Sequence, residues 1–370
     1  MRNLVRKVVR KIYYIYLLKK GYRPYMVNFY GSHVIESLFD NPDNLPLKQR
    51  LWALKRGFWP SRIKWYGLTE ENYRDYINDR DYYRIYPLNN GFSMWIDDKL
   101  TMKYVLSKYN NYMPEYYCKT DENCNIIPLM DFPNDFEKSI DGLISLLVNK
   151  KIIAAKKLDG YVGMGFYKLR YDSSADLFYA NDDSFHIYEF EQFIFTLKGY
   201  LFTEFVLQND YFEKIYPMSA HTIRVQTVKY DNNPAECIYS FIRIGSDKTK
   251  HCVSAIGDSI TAVVNVDDGM IEHGFYMDDN KEWVTCTVHP DTGESFVGRI
   301  PEWDFIVSKC LEMHEYMNEL EYLGFDVIIT NQGFKICEIN SHSGIGAMQY
   351  DWPMMKDERC FRYFSRYIKG

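Results

Sequence analysis

Three oxygen-bearing side chains interrupt the apolar segment GFDVIITNQGFKICEINSHSG, residues 324–344. Its β-branched and aromatic residues, divided by NQG, predict a β-hairpin. NQG can form a three-residue loop with Gly333 in the left-handed conformation, a common arrangement for this length. That loop places Asp326 opposite Glu338. Because side chains alternate between faces along a strand, Asn340 shares the face of Glu338.

The predicted register decides what these three polar side chains can do. It pairs Thr330 with Phe334 and Ile328 with Ile336, so the polar side chains converge on one face. Two carboxylates that lie so close repel each other unless a positive group sits between them. Mg²⁺ prefers oxygen ligands and often uses one or two carboxylates together with substrate phosphates. The spacing therefore predicts a magnesium site; the alternative is a solvated strand face followed by a turn asparagine.

Size and composition narrow the possible functions. The chain has 370 residues, enough for two or three domains. Its net charge of −6 argues against nucleic acid as the main partner, because binding a phosphate backbone needs a basic surface. The eight cysteines form no CxxC pair, which favours reduced thiols and a cytoplasmic protein. No segment reaches the roughly 18 apolar residues that a membrane span requires.

The segment MRNLVRKVVRKIYYIYLLKKGYRP is basic and contains no acidic residue. Its apolar residues recur at helical spacing, which predicts a basic amphipathic helix within residues 1–23. Such a helix suits the surface of an anionic membrane, so the protein would be peripheral on the inner face of the membrane. Alternatively, the helix packs its apolar side on the protein's own core.

The pattern along the chain predicts an α+β protein with an antiparallel C-terminal sheet. Residues 1–95 read as a mainly helical region, residues 96–200 as a small α+β subdomain, and residues 201–370 as a second, C-terminal subdomain. Residues 301–322 predict a helix with Pro301 at a favourable first-turn position. The predicted hairpin follows this helix directly.

Residues 152–169, IIAAKKLDGYVGMGFYKL, combine a strand, two lysines, a glycine-rich loop and a second strand. Glycines allow backbone N–H groups to approach a phosphate closely. Lys156 or Lys157 would supply positive charge at the end of the first strand. The alternative is an ordinary β-hairpin with a glycine turn. Upstream, Lys99 and Lys103 stand at the start of a predicted helix, with a solvated helix face as their alternative.

The order of these features resembles that of the ATP-grasp superfamily, from about residue 90 to residue 350. The likeness lies in DDKLTMKYVLSKYNNYMPEYY, IIAAKKLDGYVGMGF and GFDVIITNQGFKICEIN. The segments WALKRGF, HTIRVQTV and FIRIG resemble the sugar-transfer-associated ATP-grasp group of polysaccharide and capsule biosynthesis. The resemblance implies an ATP-grasp fold, in which two α+β subdomains grip ATP.

The resemblance also implies which residues bind ATP. The phosphate-binding set would be Lys99, Lys156, Gly160, Gly163 and Gly165. The adenine-binding set would be Glu204, Phe205 and Val206. The ribose would be held by Asp210 or Glu213, and the sequence leaves that choice open.

A second group of residues would serve the reaction itself. One or two Mg²⁺ ions would be held by Asp326, Glu338 and Asn340. The transferring phosphoryl group or a substrate carboxylate would be steadied by Arg224 and Arg243. The acceptor would be bordered by His342, Ser343 and Gly344. Two departures stand against the family pattern: a Lys-Lys replaces the usual Lys-Pro, and residues 252–271 lack the expected Asp-Asn and Gly-Gly signature on the acceptor side.

The implied activity is that of an ATP-dependent carboxylate–amine ligase working through an acylphosphate. It would join an amino acid to an amino sugar of a surface polysaccharide precursor. One alternative is an ATP-grasp kinase that phosphorylates a sugar or alcohol. Another is a nucleotide-binding scaffold without catalysis. A glycosyltransferase built on Asp97-Asp98 or Asp278-Asp279 has less support, because acidic pairs are common in solvated turns.

Overall fold

The computed structural model describes residues 2–158, 165–253 and 258–368. Its N-terminal region is helical, as the sequence predicts. The helices are α1 (Arg2–Lys19), α2 (Pro24–Phe39), α3 (Leu47–Lys55), α4 (Arg62–Tyr66) and α5 (Asp79–Arg84). Pro24 opens α2 at the first helical position, where its missing N–H costs nothing. The side chain of Asn78 caps α5 by accepting a hydrogen bond from the backbone N–H of Asp81.

Two short helices, α6 (Met94–Asp97) and α7 (Lys99–Val105), lead into a first antiparallel sheet. Its strands are β1 (Tyr116–Thr120), β2 (Ile126–Pro128), β3 (Ile152–Lys157), β4 (Tyr167–Asp172), β5 (Leu177–Ala180), β6 (Asp183–Phe185) and β7 (Tyr200–Glu204). Their spatial order is β2-β1-β7-β3-β4-β5-β6. The predicted boundary after residue 200 falls inside β7, so this sheet extends to residue 204.

Helices α8 (Ile140–Lys150) and α9 (Ile187–Ile194) cover one face of the first sheet. Ile153 and Ala155 belong to that hydrophobic core, together with Phe190 of α9. Because side chains alternate along a strand, Lys156 points to the opposite face. Lys168 of β4 pairs with Ala154 and therefore shares the face of Lys156. This second face is turned away from the helices.

A second antiparallel sheet forms most of the C-terminal half, in the order β13-β12-β10-β9-β8-β15-β16. Its strands are β8 (Thr222–Val228), β9 (Glu236–Ile244), β10 (Ile260–Val264), β12 (Gly274–Met277), β13 (Trp283–Cys286), β15 (Tyr322–Thr330) and β16 (Gly333–Asn340). A small two-stranded sheet pairs β11 (Met270–Ile271) with β14 (Gly298–Arg299). The remaining helices are α10 (Asp210–Ile215), α11 (Trp303–Tyr316) and α12 (Glu358–Phe364).

Helix α11 packs on one face of the second sheet, where Val225, Phe325 and Ile306 share one core. The helix begins later than predicted. Glu302 adopts a left-handed conformation with φ of 56°, so the helix starts at Trp303 and Pro301 lies before it. The opposite face of the sheet is therefore left for the polar residues of β8, β9, β15 and β16.

The hairpin of β15 and β16 differs from its predicted register. Thr330 pairs with Gly333, so the loop has two residues rather than three. A two-residue loop alone would place Asp326 opposite Cys337. A β-bulge at Cys337 adds one residue to β16 and restores the pairing of Asp326 with Glu338. The predicted pairing of the two carboxylates is thus confirmed, whereas the loop that was expected to produce it is wrong.

None of the described helices is both long and apolar enough to cross a membrane. None of the eight cysteines, all of which lie within the described residues, forms a disulfide bond. The N-terminal region docks on the end of the second sheet through direct contacts. Tyr66 donates a hydrogen bond to the carbonyl of Gly346 at 2.8 Å, and the backbone N–H of Ile77 donates to the side chain of Gln349 at 2.7 Å.

Candidate functional site

A buried ion cluster lies at the centre of the polar face of the second sheet. The register places Arg224 of β8 beside Asp326 of β15. Arg224 donates two hydrogen bonds to the carboxylate, from Nε at 2.6 Å and from Nη2 at 2.9 Å. Arg243 of β9 adds a contact from Nη2 at 3.3 Å, and Asn340 adds one from Nδ2 at 3.3 Å. Two guanidinium groups therefore share one carboxylate.

This cluster carries more positive than negative charge. Burial raises the pKa of Asp326, but Arg224 and Arg243 outweigh it and hold that pKa below its usual value. Burial lowers the pKa of Arg243, and Asp326 only partly offsets this effect. The Nε of Arg243 is buried without a hydrogen-bond partner among the described residues. An unpaired donor on a buried cation can be satisfied by a further anion.

Glu338 and Lys99 lie on the open side of this cluster. The Nζ of Lys99 is 4.0 Å from Oε1 of Glu338, whose side chain is 46% exposed. The position of Lys99 follows from local structure, because Asp98 caps α7 by accepting a hydrogen bond from the N–H of Thr101 at 2.7 Å. The structure thus brings the predicted phosphate ligand Lys99 next to the predicted metal ligand Glu338.

The first sheet presents its own cations toward this hairpin. Burial raises the pKa of the Cys337 thiol to about 11, and the positive charge of Lys156 partly offsets this rise. Lys156 of β3 is therefore close to β16. Lys168 lies 4.9 Å from the ring centre of Phe205, and burial lowers its pKa. The sequence interpretation missed Lys168, although strand alternation opposite Ala154 would have placed it beside Lys156.

The predicted glycine loop is only partly described. Gly160 and Gly163 lie outside the described residues. Gly165 has a φ of +72°, and a Cβ atom there would lie 2.9 Å from the hydroxyl of Tyr200. The left-handed φ favours glycine at this position.

The predicted adenine-binding residues lie at the end of β7. The strand ends at Glu204, so Phe205 and Val206 lie outside the sheet. The side chain of Glu204 accepts a hydrogen bond from the N–H of Glu115 at 3.1 Å, and its own N–H donates to the carbonyl of Glu115 at 2.8 Å. Glu204 is thus held firmly at the rim, and its backbone N–H is already used.

The two candidates for the ribose differ in their contacts. Asp210 is tied to the hairpin loop, because Asn331 donates to its carboxylate at 2.8 Å and accepts from its N–H at 3.0 Å. Glu213 accepts one bond from Gln208 at 3.0 Å and acts electrostatically on Lys168. Glu213 therefore faces the side where the lysines gather.

Comparison with known proteins identifies the family of this chain. The sequence model of the sugar-transfer associated ATP-grasp family matches residues 78–351, well over half of the chain. The chain belongs to this family. No curated protein matches the sequence significantly.

Solved structures of ATP-grasp proteins resemble the chain only distantly. The ATP-grasp ligase PsnB, complexed with a minimal precursor, is 11% identical with a TM-score of 0.39, and the match covers 74% of this chain. The chain spans 62% of PsnB. D-alanyl-alanine synthetase A from Vibrio cholerae O1 biovar eltor str. N16961 is 12% identical with a TM-score of 0.41, covering 76% of this chain and 67% of that one. These scores are too low to carry an argument, so the assignment rests on the family model.

ATP-grasp enzymes use Mg²⁺, and the residues here fit it in part. Among residues 2–158, 165–253 and 258–368, no three His, Cys, Asp or Glu side chains are placed to hold a metal ion. Asp326 already accepts four contacts from Arg224, Arg243 and Asn340, three of them at Oδ2 and one at Oδ1. Glu338 remains open, and the amide oxygen of Asn340 lies on the same face. Mg²⁺ would therefore bind mainly through Glu338 and Asn340, because most of the accepting positions of Asp326 are taken by Arg224, Arg243 and Asn340.

The predicted acceptor residues lie mostly in a packed interface of this ATP-grasp protein. The ring of His342 contacts Tyr82 at 4.3 Å and Tyr86 at 5.3 Å between ring centres, and burial lowers the pKa of His342 to about 4. Ser343 is buried, and its carbonyl accepts a hydrogen bond from Tyr82. Gly344 is exposed. The structure thus assigns His342 and Ser343 to the contact with the N-terminal region and leaves only Gly344 open to a substrate.

Proposed function

We propose that this protein is an ATP-dependent carboxylate–amine ligase that works through an acylphosphate. The observation that carries the proposal is the cluster of Arg224, Arg243 and Asp326, in which a buried and a partly exposed guanidinium group share one carboxylate. The unpaired Nε of Arg243 suits a second anion at this place. A substrate carboxylate or a transferring phosphoryl group supplies that charge.

The lysines of both subdomains would hold the ATP phosphates. Lys99 approaches from α7, and Lys156 and Lys168 approach from the first sheet. Phe205 and Val206 would receive the adenine at the end of β7, while Glu213 is the better candidate for the ribose. Mg²⁺, held by Glu338 and Asn340, would neutralise phosphate charge when bound.

The chemistry proceeds in two displacements. A carboxylate oxygen attacks the γ-phosphorus, the bond from that phosphorus to the bridging oxygen breaks, and ADP leaves. The product is an acylphosphate, whose phosphate is a good leaving group, whereas a free carboxylate would have to expel oxide. An amine nitrogen then attacks the carbonyl carbon, the bond to phosphate breaks, and the amine loses a proton. Arg243 and Arg224 would stabilise the negative charge in both steps, mainly by position and electrostatics.

The substrates are proposed from the family alone. Its description associates it with sugar transfer, so we infer that the amine belongs to an amino sugar of a surface polysaccharide precursor. An amino acid is the proposed carboxylate. Such a reaction would take place on the cytoplasmic side of the membrane, where ATP is present.

The test is ADP release from Mg-ATP with each standard amino acid, using hydroxylamine as a surrogate amine. The proposal expects ADP release with a small set of amino acids and the matching hydroxamate as product. If a sugar or alcohol is phosphorylated and no hydroxamate forms with any carboxylate, the protein is a kinase. If ATP binds but is never turned over, it is a scaffold. Either result rejects the ligase.

A further inference from the structure

Helix α1 has two apolar sides, and the protein covers only one of them. Leu17 is buried against α2, and Tyr13 and Tyr14 are half-buried beside it. The other side remains exposed. Its large apolar side chains are Leu4, Val5, Val8, Ile12, Ile15, Tyr16 and Leu18. Packing on the protein's own core therefore explains the smaller part of this amphipathic helix.

The exposed apolar residues form one continuous stripe. At about 100° per residue, these seven side chains of α1 fall within an arc of about 160°. Leu4 is 68% exposed and Ile12 is 63% exposed, the most open positions of the stripe. Lys7 and Lys11 follow one border of the stripe. Long basic side chains beside an apolar stripe are typical of helices that lie in a membrane interface.

The charge of α1 contrasts with that of the whole chain. The chain has a net charge of −6, yet α1 contains no acidic residue. Arg6 is neutralised by Asp40 at 2.7 Å. Within the described part of the chain, no ion pair is formed by Lys7, Lys11 or Lys19. Lys7 and Lys11, together with the stripe that they border, are therefore available to one partner at the same time.

The helix is held firmly, so the stripe has a fixed orientation. Gly31 of α2 allows close packing, because a Cβ atom there would lie 2.7 Å from the ring of Tyr14. Tyr22, just after α1, donates a hydrogen bond to the carbonyl of Arg80 at 2.7 Å. The same region contacts His342 through Tyr83. Helix α1 is thus joined through packed side chains to the segment that follows β16.

We propose that α1 binds the surface of an anionic lipid bilayer through this stripe and its bordering lysines. The combination selects the partner: apolar side chains enter the acyl boundary, and the lysines meet negative headgroups. A second copy of the chain fits less well, because two α1 helices would bring the same unpaired positive charges together. The binding would hold the catalytic body at the membrane.

The test is sedimentation of the full chain with vesicles of phosphatidylcholine, alone or mixed with an equal amount of phosphatidylglycerol. Binding is expected to the mixed vesicles, and added salt should weaken it. Val8→Ser/Ile12→Ser should lower the affinity by about tenfold or more, because two apolar side chains leave the interface. Lys7→Glu/Lys11→Glu should abolish the preference for phosphatidylglycerol.

Helix α3 supplies matched controls. Leu47 and Leu51 have the same spacing as Val8 and Ile12 and are 55% and 52% exposed. Leu47→Ser/Leu51→Ser, and Lys48→Glu/Lys55→Glu for charge, should leave vesicle binding unchanged. Thermal unfolding midpoints and solution mass are measured for each variant, and Lys7→Gln/Lys11→Gln replaces any variant that unfolds.

Three results would overturn the proposal. One is no binding to anionic vesicles. Another is equal loss of binding in the α1 and α3 variants, which would indicate nonspecific adsorption. The third is a dimer that the α1 variants dissociate while vesicle binding persists, which would assign the stripe to a second copy of this chain.

Discussion

Arg62–Asp79 in the N-terminal region and Arg224–Asp326 in the second sheet are both buried arginine–aspartate pairs. They differ in what surrounds them. Asp79 also accepts the N–H of Trp59 at 2.9 Å, and the guanidinium of Arg62 lies 4.5 Å from the ring centre of Trp65. This first pair is balanced one to one and closed in by aromatic rings.

The second pair is unbalanced and has an open side. Arg243 adds a second guanidinium to Asp326. Glu338 and Lys99 lie partly exposed beside it. The comparison teaches that a buried ion pair alone indicates structure, whereas an excess of buried charge next to exposed polar groups indicates a binding site.

The largest expected effect lies at the open side of the second pair. Glu338→Ala should reduce turnover by at least about 10³-fold. The substitution removes a ligand of the Mg²⁺ that would neutralise the negative charge of the phosphates. The fold should stay intact, since Glu338 is half-exposed. The assay is ADP release, together with circular dichroism. Glu236→Ala removes a carboxylate from β9 of the same sheet, where it pairs with Arg362, and should leave turnover unchanged; full activity in Glu338→Ala would refute the assignment.

Breaking the Arg62–Asp79 pair should lower the stability of the protein. Asp79→Ala leaves Arg62 charged and unpaired, which should lower the free energy of unfolding by about 3–5 kcal/mol. Urea denaturation measures the loss. If the free energy of unfolding falls by less than about 1 kcal/mol, the aromatic rings alone stabilise Arg62. The first pair would then not be the structural ion pair that the comparison requires.

Substitution of Arg243 should lower the activity much more than the stability. Arg243→Ala leaves Asp326 with its two bonds from Arg224, so the free energy of unfolding should fall by only about 1 kcal/mol or less. Activity should fall by about 10²–10³-fold, the cost of removing one charged stabiliser. Arg359→Ala is the matched control, because Arg359 is also partly exposed and pairs with Asp267. Comparable activity in both variants would remove Arg243 from the reaction.

The smallest expected effect concerns the interface between the two regions. The pKa of His342 is lowered by burial to about 4, so the folded protein keeps this ring neutral while the unfolded chain binds a proton below about pH 6.5. Stability is therefore lost as the pH falls from about 6.5 toward 4, by up to about 1.4 kcal/mol per pH unit. His342→Phe should flatten this dependence in urea denaturation at pH 7 and pH 5. An unchanged slope would show that other groups produce it.

The sequence sufficed for some features and failed for others for physical reasons. Alternation along a strand is local, so the shared face of Asp326, Glu338 and Asn340 could be predicted. The two-residue loop and the bulge at Cys337 could not be predicted from the alternation. The shorter loop shifts the register by one residue and the bulge shifts it back, so the pairing of Asp326 with Glu338 is the same with both or with neither. The bond between Arg224 and Asp326 depends on how β8 aligns with β15 across 102 positions, which no local pattern specifies.

Long-range packing explains the remaining differences. His342 and Ser343 follow the hairpin in sequence, and a place beside a substrate was a reasonable expectation. The N-terminal region covers them instead, through Tyr82 and its neighbours. Lys168 was missed because its position beside Lys156 becomes visible only when β4 is paired with β3.

The most direct test of the central claim follows oxygen from the substrate carboxylate. An acylphosphate requires that an oxygen of the carboxylate attack phosphorus and leave with the phosphate. The active amino acid is labelled with ¹⁸O in its carboxylate and incubated with Mg-ATP and amine, and the released phosphate is analysed by mass spectrometry. The account predicts one ¹⁸O atom in each phosphate. Unlabelled phosphate formed together with ADP would contradict it.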